Sequence, residues 1–126
     1  MPREPLPEDL RRFIVLSIPS VPFVEAMLLL RAAREPLATE AVARRLYMPE
    51  HSAMQLLAQM REARIVRPGA AEGTHRYAPD EDLEGALELL ARFYSTHLVD
   101  VTELIHSRSA RKAQQFADAF KLRKDS

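Results

Sequence analysis

The stretch that decides the fold spans residues 38–78 and reads ATEAVARRLYMPEHSAMQLLAQMREARIVRPGAAEGTHRYA. It begins with a short helical pattern, and the Thr39 hydroxyl is placed to cap the exposed N–H groups of that helix. Pro49 disfavours helical geometry at the residue before it but suits the first turn of a new helix. We therefore expect two helices joined by a tight turn.

The second helix of this stretch has one apolar and one polar face. Ala53, Leu57 and Met60 fall at i, i+4 and i+7, which predicts a buried stripe. The opposite face is polar and almost uncharged, with His51, Ser52, Gln55, Gln59 and Glu62. We expect the helix to cover about residues 49–64.

The end of the stretch predicts a two-stranded hairpin. Ile65 and Val66 are typical of a strand, residues 69–73 of a turn, and residues 74–78 of a returning strand. Two short helices, a turn and a hairpin are the parts of a winged helix-turn-helix in their usual order. The predicted fold class is therefore mainly α with a small β-hairpin wing at about residues 65–78, and with a long C-terminal helix.

Residues 54–68, MQLLAQMREARIVRP, resemble the end of the recognition helix and the first wing strand of bacterial winged-helix regulators of the MarR, ArsR and PadR kind. Those families typically carry a leucine, two variable residues, another leucine, and then Glu-Ala-Gly-Leu-Val. The matching positions here are Leu57, Met60, Glu62, Ala63, Ile65 and Val66. Arg64 stands where the families place glycine, which leaves open a different cap at this helix end.

Two outer segments also carry a resemblance. They are VPFVEAMLLLR at residues 21–31 and QQFADAFKLRK at residues 114–124. Both are similar to the ends of small winged-helix proteins that are widespread in bacteria and for which we know no established function.

The chain outside this stretch predicts further helices. Residues 7–18 form an amphipathic pattern, and Ser20 is placed to cap a following helix that ends before Pro36. Asp80 is placed to cap a helix of about 27 residues, or roughly 40 Å. A shorter helix is expected at residues 111–121. Residues 1–79 and 80–126 are expected to form one compact unit.

The long helix carries a 4,3-spaced stripe that predicts a homodimer. Its members are Leu83, Leu87, Leu90, Tyr94, His97, Val101 and Leu104. A helix of this length outgrows a small domain, so we expect part of the stripe to pack on the first helices and the rest to meet a second copy. His97 there is either a pH-sensitive group of the dimer or a ring with a satisfied partner.

A winged helix-turn-helix implies contacts with double-stranded DNA. The candidates for base contact are His51, Ser52, Gln55 and Gln59. The candidates for backbone and wing contact are Arg44, Arg45, Arg67, His75 and Arg76. A dimer would place two such surfaces roughly 34 to 36 Å apart. The alternative is a protein-protein interaction module without specific DNA binding, because arginine or lysine is expected where Gln55 and Gln59 stand.

Composition limits the remaining classes of function. The 126 residues suit one small domain, and the absence of cysteine fits a reducing cytoplasm and excludes thiolate chemistry. Four histidines without ligand spacing predict no metal, and three glycines with no phosphate-binding array predict no nucleotide cofactor and no enzyme. No apolar run approaches a membrane span, so we expect no membrane insertion.

Charge is unevenly distributed although its net value is zero. Residues 44–76 carry six arginines against three glutamates, a balance of +3. Residues 80–106 carry one arginine against seven acidic residues, a balance of −6, and residues 107–126 carry six basic against two acidic residues, a balance of +4. This segregation is typical of a DNA-facing surface on an acidic support.

Overall fold

The computed structural model describes residues 4–107 of the chain. This part is mainly helical and carries a small antiparallel sheet of three strands. In chain order the elements are α1 (Glu8–Ser17), α2 (Val21–Ala33), β1 (Leu37–Ala38), α3 (Thr39–Arg45), α4 (Glu50–Glu62), β2 (Val66–Pro68), β3 (Thr74–Tyr77), α5 (Glu81–Tyr94) and α6 (residues 98–107). The predicted helix at residues 111–121 lies outside the described residues.

The core lies mainly between helices. α3 and α2 both pack on α4, whereas α1 packs on α5. The largest completely buried side chains include Phe23, Met27, Leu57, Met60, Leu87 and Leu90. The predicted α4 stripe of Ala53, Leu57 and Met60 is therefore confirmed, because each of these side chains is 2% exposed or less.

The sheet has one more strand than the predicted hairpin. Its order is β1-β3-β2, and Leu37 of β1 pairs with His75. Two residues are too short for an alternating pattern, so β1 leaves no signal in the sequence. Gly69 is required where the hairpin turns, because a Cβ atom there would lie 2.2 Å from the Thr74 Oγ1 and 2.6 Å from the Pro36 Cβ.

The helices α3 and α4 end in the same way, with a non-glycine residue in the left-handed conformation. After α3, Tyr47 has a φ of 56°, and the Met48 N–H donates to the Ala43 carbonyl at 3.0 Å. After α4, Arg64 has a φ of 65°, and the Ile65 N–H donates to the Met60 carbonyl at 2.9 Å. These are the bonds of a Schellman cap. Arg64 thus adopts the conformation that the resembling families assign to glycine.

Of the three N-terminal helix caps that the sequence predicts, the structure contains one. The Ser20 Oγ accepts a bond from the Phe23 N–H at 3.3 Å, so this predicted cap is confirmed. The cap predicted for Thr39 is wrong, because Ala38 is the capping residue and the Thr39 hydroxyl bonds to His75. Asp80 lies at the N-cap of α5, but its carboxylate is bonded to two arginines instead of capping the helix.

The single long helix predicted from Asp80 is wrong, because α5 ends at Tyr94 and a turn separates it from α6. At the break the Phe93 carbonyl accepts the His97 N–H at 2.9 Å and the Thr96 hydroxyl at 3.2 Å. The next residue, His97, is 4% exposed, and its Nε2 donates to the Glu4 carbonyl. The break turns the chain so that this ring meets the N-terminal segment.

The stripe predicted for a dimer is buried within this chain. Leu87, Leu90, His97 and Val101 are 4% exposed or less. Leu83, Tyr94 and Leu104 are partly buried against the same core. Because α1 occupies one side of α5, these side chains do not form a free surface for a second copy.

No single helix among residues 4–107 is long and apolar enough to cross a membrane, and α1 and α2 reach that length and composition only as a pair bent by 110°.

The cap at Tyr47 leads to a stability prediction. The Tyr47 side chain is 96% exposed, so it contributes little packing, whereas its left-handed backbone is costly for an L-residue. We expect Tyr47→Gly to raise the free energy of unfolding by about 0.5–1 kcal/mol. Urea unfolding measures this, with Tyr47→Ala as the control that removes the ring but keeps the strain. Equal stabilities of the two variants would contradict the prediction.

Candidate nucleic-acid interface

The outer face of α4 presents the side chains predicted to contact bases. His51, Gln55 and Gln59 are spaced by four residues and are all exposed, so they form one line along the helix. Ser52 lies beside this line and is half-buried. The four predicted residues are therefore brought together on one surface of one helix.

Arg44 and Arg45 lie at the C-terminal end of α3, immediately before the turn to α4, and both are exposed. Arg44 pairs with Glu40 one helical turn earlier at 3.4 Å. Such an exposed pair contributes little to stability, because solvent screens it. Both side chains are therefore accessible at the end of the helix that precedes α4.

Arg67 and Arg76 are direct cross-strand partners in β2 and β3, and both are exposed. The Arg67 Nη2 donates to Asp80 Oδ1 at 2.9 Å, and its Nε donates to the Ala78 carbonyl at 3.4 Å. The Arg76 Nε donates to the Pro68 carbonyl at 3.4 Å. Side chains of directly opposed residues share a sheet face, so the hairpin presents two cations side by side.

Two further arginines join this pair, and sequence reasoning did not select them. Arg61 and Arg64, at the end of α4, line one cleft together with Arg67 and Arg76. We call this cavity the arginine cleft; its volume is about 690 Å³, and its other lining residues are Val66, Pro68 and Asp80. A signal was present, because arginines 61, 64 and 67 recur every third residue. Only the turn at the end of α4 shows that they meet.

His75 faces the protein body and positions other groups. Its Nδ1 lies 3.2 Å from the Arg61 Nη2, and its Nε2 lies 3.1 Å from the Thr39 Oγ1. Since arginine only donates, Nδ1 is the acceptor and the neutral ring carries its proton on Nε2. Burial, followed by the charge of Arg61, lowers the pKa of His75 from its usual 6.5. The ring thus links the starts of α3 and β3 to α4.

A second, more apolar cavity of about 380 Å³ lies beside the same histidine. It is lined by Thr39, Met54, Leu57, Ala58, Arg61, Glu62 and His75. The Met54 side chain is 58% exposed at its rim. An apolar depression therefore adjoins the polar outer face of α4.

Among residues 4–107, no three histidine, cysteine, aspartate or glutamate side chains come together in a group that could hold a metal ion.

The bonds of His75 lead to a pH prediction. Because its pKa is lowered in the folded state, the unfolded chain takes up the proton first as the pH falls. The stabilisation is therefore present above pH 6.5 and is lost as the pH falls toward the folded pKa. We expect urea unfolding between pH 8 and 5 to show this loss in the wild type and a smaller loss in His75→Gln. If the free energy of unfolding fell equally with pH in the wild type and in His75→Gln, the prediction would be contradicted.

Comparison of this chain with protein-family models, with curated proteins and with solved structures finds no match. The geometry of α4 and of the arginine-bearing hairpin therefore carries the functional argument alone.

Proposed function

We propose that this chain is a winged helix-turn-helix protein that binds double-stranded DNA as a homodimer and regulates transcription. The support is the element order from α2 to β3: a helix, a short strand, two helices joined by a tight turn, and a hairpin. The second strand of the hairpin, β3, also pairs with the short strand β1. In this assignment α4 is the recognition helix and the β2–β3 hairpin is the wing.

The observation that carries the proposal is the adjacency of a polar helix face and an arginine-rich hairpin. The α4 face offers amide side chains at Gln55 and Gln59, which suit the N6 and N7 groups of adenine in the major groove. Arg44 and Arg45 lie before α4, and Arg67 and Arg76 lie beyond it. Cations flanking the helix would bind phosphates and orient it, whereas the amides would read the bases.

We propose that a second copy binds the surface formed by α1 and α6. Leu16 of α1 is 67% exposed, and Leu98 and Val99 of α6 are 49% and 63% exposed. Beside Leu16, a shallow groove of about 450 Å³ separates α1 from Leu104. The α1 side carries Arg11 and Arg12 beside Glu8, whereas α6 carries Glu103. A two-fold axis would bring these opposite charges together around an apolar centre.

A protein partner is the alternative function, and the exposed apolar side chains near α4 favour it. Tyr47 is 96% exposed and Met54 is 58% exposed. Aromatic and methionine side chains are enriched in protein interfaces. The small cavity beside Met54 would then receive an apolar side chain of the partner.

The first experiment selects binding sites from a randomised duplex pool over a salt series. We expect a two-fold symmetric site whose affinity falls steeply with salt. Gln55→Ala should relax the preference at one base position at a cost of about 1–3 kcal/mol. Arg76→Ala should weaken binding to all sequences and lower the salt slope by about one.

The control for this selection is Arg92→Ala, which removes an exposed arginine of α5 that has no part in the proposed interface. It should bind like the wild type. A pool without enrichment, together with weak binding that vanishes near physiological salt, would overturn the DNA proposal in favour of the protein partner.

The dimer is tested by sedimentation of charge variants. We expect Leu16→Glu and Val99→Glu to give monomers, because each places a charge at the apolar centre of the proposed contact. Met54→Glu changes an equally exposed apolar side chain on α4 and should remain a dimer. A wild-type chain that sediments as a monomer, or three variants that sediment alike, would contradict the proposed surface.

A further inference from the structure

The arginine cleft holds more positive charge than its own acidic residue can neutralise. Its lining contains four guanidinium groups and one carboxylate, that of Asp80. Arg64 Nη1 and Arg67 Nη2 each lie 2.9 Å from a different oxygen of this carboxylate. The other two arginines donate to neutral acceptors, Arg61 to the His75 ring and Arg76 to the Pro68 carbonyl. Arg64 Nη2 also lies 3.7 Å from Asp82 Oδ2, at the edge of the cleft. Four guanidinium groups therefore face two carboxylates, which leaves two excess positive charges.

The backbone on which these arginines lie is fixed by hydrogen bonds. Arg64 is part of the Schellman cap of α4, and its carbonyl accepts the Asp80 N–H at 3.0 Å. The Ile65 carbonyl accepts the Ala78 N–H at 3.0 Å, so the chain after the hairpin is bound to the end of α4. Arg67 and Arg76 are held opposite each other by the sheet register. A ligand would thus meet cations that are already positioned, which lowers the entropic cost of binding.

The number and type of these groups favour one ligand chemistry. Guanidinium groups form paired bonds to the oxygens of carboxylates and phosphates. A carboxylate, with two oxygens and one charge, is already supplied by Asp80. A phosphate group has more oxygens and up to two charges, so it can engage several guanidinium groups from different directions. The volume of about 690 Å³ leaves room for it beside the carboxylate.

We propose that the arginine cleft is a phosphate-binding site in which Asp80 competes with the ligand for Arg64 and Arg67. Arg61 and Arg76 supply the charge that the carboxylate leaves unneutralised. The phosphate comes either from a DNA backbone or from a free phosphorylated small molecule. The cleft includes two of the predicted backbone contacts, Arg67 and Arg76, and none of the predicted base contacts. Only the first source therefore rests on the proposed DNA-binding function.

The role of Asp80 gives the proposal a directional test. If the carboxylate competes with phosphate, its neutral amide should strengthen binding, because repulsion is removed while the side-chain shape is kept. Asp80→Asn leaves the start of α5 intact, because the aspartate side chain makes no capping bond there and the backbone bond from the residue 80 N–H to the Arg64 carbonyl is kept. A purely structural carboxylate would give no gain in affinity.

The experiment titrates the full chain with sodium pyrophosphate and follows binding by calorimetry and by amide NMR shifts. We expect Arg76→Ala to weaken binding about tenfold, which is the usual loss for one charge-assisted hydrogen bond. Asp80→Asn should bind about threefold more tightly by the same scale. Arg92→Ala, outside the cleft, should match the wild type, and the NMR shifts of the wild type should centre on residues 61–68 and 74–80.

Besides an Asp80→Asn protein without any gain in affinity, two outcomes of this titration would overturn the proposal. The first is an Arg76→Ala protein that binds pyrophosphate as the wild type and the Arg92→Ala control do. The second is an Asp80→Asn protein that binds less tightly than the wild type although its thermal unfolding is unchanged, because the carboxylate would then assist binding instead of competing.

Competition with duplex DNA distinguishes the two sources of phosphate. If the cleft binds the DNA backbone, the duplex displaces pyrophosphate from it. If the cleft binds a free phosphorylated molecule, duplex and pyrophosphate bind together. Arg76→Ala then loses only pyrophosphate binding, and the DNA-backbone contact proposed above for Arg76 is refuted. Pyrophosphate binding by a chain that binds no duplex would keep the cleft and refute the proposed function. Duplex binding without pyrophosphate binding would refute the phosphate site in the cleft and would leave the proposed DNA-binding function standing.

Discussion

The contact between Arg64 and Asp80 determines how the two halves of the chain meet. The Arg64 carbonyl accepts the Asp80 N–H at 3.0 Å, and its guanidinium group pairs with the Asp80 carboxylate at 2.9 Å. One residue therefore ends α4, and its partner begins α5. Because Arg64 holds a left-handed conformation, the chain leaves α4 sharply enough to start β2 at Val66. The hairpin is then enclosed between two points that are bonded to each other.

The contact between the two ends of the hairpin also brings positive charges together. Four arginines line one cleft although up to 15 positions separate them along the chain, from 61 to 76. They meet because the hairpin returns to the end of α4. His75 extends the arrangement on the other side, where its ring accepts from Arg61 and donates to Thr39. The lowered pKa of His75 follows from burial and from this arginine. The proposed wing, the start of α3 and the proposed recognition helix are thereby linked through one neutral imidazole.

The break between α5 and α6 determines which apolar surface remains for a partner. A continuous helix would have carried its stripe beyond the domain. Here a turn at residues 95–97 separates the two helices, and His97 and Val101 are buried in the core of the same chain. The large apolar side chains left exposed are a different set: Leu16 on α1, Leu98 and Val99 on α6, Tyr47 before α4 and Met54 on α4. An apolar stripe in a sequence therefore indicates burial, but it does not indicate whether the same chain or another one covers it.

The sequence by itself determined the mainly helical class, the positions of α1 to α4, the hairpin and the polar outer face of α4, because these depend on local periodicity and on proline, glycine and serine signals. Only the tertiary structure decided the strand β1, the break after Tyr94 and the meeting of Arg61 with Arg76. Each of these depends on partners distant in sequence: His75 for β1, Glu4 for His97, and Asp80 for Arg64 and Arg67. A local pattern carries no information on such partners, since a single hydrogen bond or ion pair needs no periodicity.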